Sequence, residues 1–247
     1  MSTDSPVRVA DLTKAYGRRV AVDGVTFDVP AGCVFGFLGP NGAGKTTTIR
    51  MLLGLIRPQR GAVWLCGAAM RPSHPVLARV GALVDGPAFP RFLTGRRHLT
   101  NFARCGRRLD TPVAGRVTDV LDRVGLREAA DRRISTYSTG MRQRLGLAQA
   151  LLTDPDVLVL DEPSNGLDPG GMHDVRTLIG RLREAGRTIF LSTHLLAEVE
   201  QICDRVAVVA AGRLVAAGTL DQVRAGATLE SAYLNLTGHS GVVNAPS

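Results

Sequence analysis

The sequence predicts an α/β fold: a mostly parallel sheet with helices, an N-terminal antiparallel β subdomain and a helical insertion subdomain. Three observations lead there. Short, almost continuously apolar runs recur along the chain, as in strands buried on both faces. Helix-length segments separate several of them, which is the alternation that builds parallel sheets. Ahead of both, two stretches alternate apolar and polar residues as half-buried strands do.

Those alternating stretches are Val7 to Ala10 and Val20 to Val29, read as an antiparallel sheet with one wet face. Val34 to Leu38, VFGFL, is the first doubly buried strand. Similar runs follow at Val63–Leu65, Val80–Val84, Val157–Leu160, Thr188–Ser192 and Val206–Ala210. Helices are expected over Thr46–Leu55, Gly140–Leu152 and Gly171–Ala185. From Gly86 to Arg133 no buried-strand run occurs. Val113, Val117, Val120, Leu121 and Val124 are spaced there as on a helix face. With the next helix, the insertion spans about 86–153, inside one domain over 1–238. The small, polar stretch after Gly238 is expected to fray.

A chain of 247 residues can build a core without staples, and 45% hydrophobic with 21% charged residues excludes a disordered chain or a coiled-coil rod. The first residues carry neither the basic nor the apolar region expected of a secretory leader, and no window offers the 18 uninterrupted apolar residues of a membrane span. Cys33, Cys66, Cys105 and Cys203 lack CxxC spacing, which argues against zinc or a disulfide framework and for a cytosolic chain. The net charge of +8 asks for nucleic acid, an anionic membrane face or a phosphorylated ligand, unless it is only a general arginine bias. Eleven arginines against five acids lie between Gly86 and Arg133, so most of the excess is in the insertion.

Immediately after VFGFL come Gly39, Pro40, Asn41, Gly42, Ala43, Gly44, Lys45 and Thr46, with Thr47 continuing into a helical pattern. A glycine, four free positions, then Gly-Lys and a hydroxyl residue, set between strand and helix, is a P-loop. Its backbone N–H groups wrap a nucleoside triphosphate. Lys45 adds charge at the β- and γ-phosphates, and Thr46 can ligate Mg2+. The core is therefore that of a P-loop NTPase. Downstream, VLVL ends in Asp161 and Glu162, at the strand edge where α/β ligands bind. Asp161 suits the Mg2+ shell, and Glu162 suits general-base activation of water.

The remaining motifs resemble one family. Tyr137 to Arg144, with Ser138, Thr139, Gly140 and Met141 at its centre, resembles the LSGGQ signature of ATP-binding-cassette (ABC) ATPases. Ser164 to Asp168 looks like the family's D-loop, His194 like its switch histidine, and Tyr16 like the aromatic that stacks on adenine. The resemblance runs from about Val7 to Gly238. It implies ATP and Mg2+ as cofactors, Glu162 and His194 as catalytic residues, and a signature that binds the γ-phosphate of a partner subunit. It further implies a nucleotide-dependent homodimer and a separate transmembrane permease, on the cytoplasmic face of the membrane, with no nucleic acid. Asp85 stands where the family usually has a glutamine that touches Mg2+, and is counted with the metal-site residues. That replacement and the ending from Thr228 to Gly238 resemble the branch that exports drugs and peptide antibiotics. The alternatives are a soluble ATPase of this type acting on nucleic acid or ribosomes, and an ATP-binding regulator without transport. His74, His98, His173 and His239 are read as structural.

Overall fold

The structure, a computed structural model of the chain, describes residues 5–86, 88–105 and 112–238. β1 (Val7–Tyr16) and β2 (Arg19–Val29) come first, followed by β3 (Val34–Leu38) and α1 (Lys45–Leu52). β4 (Arg60–Leu65), the short β5 (Ala68–Ala69) and β6 (Val80–Leu83) precede α2 (Gly95–Cys105), α3 (Val113–Arg123) and α4 (Thr139–Leu151). Strands and helices then alternate through β7 (Val157–Asp161), α5 (Pro169–Glu184), β8 (Thr188–Thr193), α6 (Leu196–Ile202) and β9 (Arg205–Ala210). β10 (Arg213–Thr219), α7 (Leu220–Arg224) and α8 (Leu229–Thr237) follow. Pro87, Arg107, Arg108, Asp110, His239 and the tail expected to fray lie outside the described residues.

Two sheets result. The larger has the order β10-β9-β3-β8-β7-β6, parallel except where β10 returns against β9. The smaller, β2-β1-β4-β5, is antiparallel throughout. Val63 to Leu65 belongs to β4 in this smaller sheet, a correction to its reading as another run of the parallel kind. Its apolar run is too short for composition to separate the two settings, and its partner β1 lies fifty residues upstream, beyond any local signal.

The larger sheet is buried on both faces, and strand periodicity divides its side chains. Phe35 and Phe37 of β3 face the smaller sheet, where Phe27 of β2 meets them and Phe190 of β8 with ring centroids 5.4–5.9 Å apart. Ile49, Met51 and Leu52 of α1 fill the same layer. Val34 and Leu38 face the other way, onto a second core with Leu99 of α2, Val117, Val120 and Leu121 of α3 and Leu145 of α4. The helical spacing read between 86 and 133 is thus the buried face of α3. Beyond the expected elements, β10, α6 and α7 follow His194; the capping box of Thr219 and Gln222 that opens α7 was the available signal. Among the described residues, no helix is long and apolar enough to cross a membrane.

Candidate active site

β3, β8 and β7 are neighbours in the larger sheet, and their ends lie level: Leu38 is opposite Thr193, and Asp161 is opposite Ser192. The residues that follow these strands therefore converge at one edge, although they are far apart in sequence.

The loop after β3 closes onto α1 through Gly44, whose φ of 101° lies in the left-handed region. A Cβ at Gly44 would collide with the backbone oxygen of Ala21. α1 has no side-chain N-cap and no acid in its first turn, so its leading N–H groups are left for an anion. Lys45 is only 6% exposed. Its ammonium donates to the Gly39 carbonyl at 2.7 Å and the Pro40 carbonyl at 3.3 Å, and lies 3.3 Å from Glu162 Oε1. An ammonium held by carbonyls beside the uncapped N-terminus of a helix is a fit for polyphosphate. Ala43 is buried and supports the loop from behind.

Glu162 itself has φ 48°, uncommon for a residue with a side chain, and its second oxygen lies 3.0 Å from His194 Nδ1. Beside it, the Thr46 hydroxyl donates to Asp161 Oδ2 at 2.8 Å, and the Ser192 hydroxyl donates to the other Asp161 oxygen. A hydroxyl and a carboxylate form an oxygen-only pair of the kind Mg2+ uses, since that ion keeps several waters and takes few protein ligands. A cleft of about 420 Å3 runs from Tyr16 past Arg19, Asn41 and Gly42 to Thr47 and Glu162. Tyr16 is 48% exposed on its rim, as a surface for stacking a base would be.

Not every candidate joins this group. Asp85 gives both oxygens to Arg50 of α1, at 2.7 and 3.1 Å, and this bidentate pair raises the Arg50 pKa. Ser138, Thr139, Gly140 and Met141 open α4, where the Ser138 hydroxyl accepts from the Met141 N–H at 3.2 Å. They pack toward Gly166 and Leu167 and do not line the cleft. Asp168 caps α5, accepting from the Gly171 N–H at 2.9 Å. His74 caps a short turn through the Val76 N–H, and His98 sits 2.7 Å from Gln149 Oε1, both as structural histidines do.

Two residues were not foreseen. Arg19 lines the cleft with its guanidinium over Gly42. Gln143, buried in α4, donates to the Pro163 carbonyl at 2.8 Å and so joins α4 to the loop after β7. Only its place inside the signature stretch could have marked it.

Residues 22–165 match the sequence model of the ABC transporter family. The chain belongs to that family. This ABC cassette is 43% identical over 211 residues to the bacitracin transport ATP-binding protein BcrA of Bacillus licheniformis, covering 85% of the chain and 68% of the relative. It is 40% identical over 223 residues to a daunorubicin resistance ATP-binding protein of Streptomyces coeruleorubidus, covering 90% and 71%. A solved ATP-binding subunit of an ABC transporter superposes with a TM-score of 0.85 at 31% identity, covering 94% of the cassette and 99% of that chain. The cassette is accordingly an ATPase that binds nucleotide and works with a membrane transporter.

Proposed function

We propose that this cassette powers a separate membrane permease that exports an amphipathic drug or peptide antibiotic. The convergence of Lys45, Thr46, Asp161, Glu162 and His194 at one sheet edge carries the ATP-driven part. The printed roles of two relatives, bacitracin transport and daunorubicin resistance, support the substrate class. A rival acting on nucleic acid or ribosomes has only the net charge of +8 in its favour.

In this reading Tyr16 stacks on adenine, while Gly39 to Thr47 and Lys45 hold the phosphates. Thr46 and Asp161 hold Mg2+, which when bound offsets phosphate charge. Asp85 reaches that site only if it leaves Arg50. His194 orients Glu162 and the γ-phosphate end, and Glu162 takes a proton from the attacking water. Ser138 to Met141 and Asp168 are not among the residues that line the cleft of their own chain. They serve a second copy, so ATP joins two cassettes head to tail, and hydrolysis at Glu162 releases them. Residues 1–238 form one ABC domain with its helical insertion at 86–153. Arg91, Arg97, Arg104, Arg132 and Arg133 are exposed there without an ion pair to a described residue, which suits the cytoplasmic membrane face.

The test is purification of the tagged chain from membranes and from the soluble fraction. A polytopic membrane protein that co-purifies, and whose drug efflux is lost with Glu162→Gln, supports the proposal. Co-purification with ribosomes or nucleic acid instead overturns it.

A further inference from the structure

Glu162 and His194 are not the only residues joining the loops after β7 and β8. Two positions beyond Glu162, the Ser164 hydroxyl donates to Glu198 Oε1 at 2.5 Å. Glu198 lies four positions beyond His194, in the first turn of α6. Both are deeply buried, Ser164 at 3% exposed and Glu198 at 5%. The second carboxylate oxygen, Oε2, has no hydrogen-bond partner among the described residues. A carboxylate buried on a single hydroxyl is costly, and an apolar pair would fill the same space without that cost. Its position accounts for it. The two loops are tied twice, once in the cleft by Glu162 and His194 and once behind it by Ser164 and Glu198.

The cleft contact alone would hold His194 weakly. Its side chain is 39% exposed, and α6 runs for only seven residues. The Leu195 N–H is already committed to the Thr193 hydroxyl at 3.0 Å, which fixes the turn leaving β8 but not its distance from the loop after β7. Between these two ties, Gln143 donates to the Pro163 carbonyl. The segment Glu162 to Ser164 is therefore anchored residue by residue: to His194 and Lys45, to Gln143, and to Glu198.

We propose that the Ser164–Glu198 hydrogen bond is a strut that positions His194 against Glu162, making Ser164 and Glu198 positioning residues for hydrolysis. The proposal rests on the assignment of Glu162 and His194 to catalysis. It predicts an effect on turnover with little effect on nucleotide capture, because neither residue lines the cleft.

The test compares two variants of equal shape in the full chain, Ser164→Thr, which keeps the hydroxyl, and Ser164→Val, which removes it. Threonine should keep kcat near the wild-type value. Valine should lower it about tenfold or more, with KM for ATP within about twofold, as expected for a misplaced catalytic group. Without nucleotide, the His194 imidazole resonances should shift in the valine variant only. A second pair separates positioning from folding. Ser164→Ala strands a buried carboxylate and should lower Tm, while Ser164→Ala with Glu198→Met removes both polar groups and should recover Tm but not kcat. Equal kcat for threonine and valine, or kcat recovered together with Tm, overturns the strut. His194→Ala is the control: if it hydrolyses ATP at the wild-type rate, the catalytic assignment itself fails.

Discussion

Lys45 shows how much a single residue carries at this site. Its ammonium is buried, and backbone carbonyls and one carboxylate hold it in place of water. Lys45→Ala should weaken ATP binding about 100-fold, measured by calorimetry, because charge-assisted bonds to phosphate are lost. Glu162→Gln keeps the shape of the side chain but cannot accept a proton. It should bind ATP normally, hydrolyse it about 100-fold more slowly and accumulate as an ATP-bound dimer on size exclusion. Gly44→Ala should abolish nucleotide binding and lower Tm, since the methyl group meets the Ala21 carbonyl and φ 101° disfavours any side chain. Gly44 and Lys45 were legible because the chemistry of the P-loop is local, a run of backbone and side-chain groups contiguous in sequence. Arg19 and Glu198 were not. Each acquires its neighbours, Gly42 and Ser164, only through long-range packing.

Elements were legible where burial imposes a period. VFGFL announced β3, and the spacing from Val117 to Leu121 announced α3, because each pattern repeats what the element buries. β10 stayed hidden: as an edge strand it buries little, and its alternation of small residues carries almost no contrast. Phe190 makes the contribution of burial measurable. It is fully buried at the contact of β8 with the smaller sheet, and Phe190→Ala should cost about 3–5 kcal/mol in denaturant unfolding. Ser138→Ala has a smaller and separable effect. Losing the N-cap of α4 should cost about 1 kcal/mol by the same measurement, and any larger loss of ATPase activity supports the role proposed for this segment at a second copy's site.

At the scale of the molecule, two cores back to back on one sheet leave the thiols in different worlds. Burial pushes the Cys33 thiol up to about 11, and Cys203 is raised for the same reason, first by burial and then by Glu198 and Asp204. Thiolate, the reactive form, is scarce for both below that range. At pH 8, iodoacetamide should therefore label exposed Cys105 within minutes and leave Cys33 and Cys203 intact until denaturant is added, as read by peptide mass mapping. The order of the sheet has a consequence of its own. The hydroxyl of Thr46 and the carboxylate of Asp161 are 115 residues apart in sequence, and β8, which comes later still, lies between their strands. Glu162 follows β7 and His194 follows β8, so the site is whole only when β8 lies between two strands that precede it in the chain, and ATP hydrolysis reports that this non-sequential order of strands is in place.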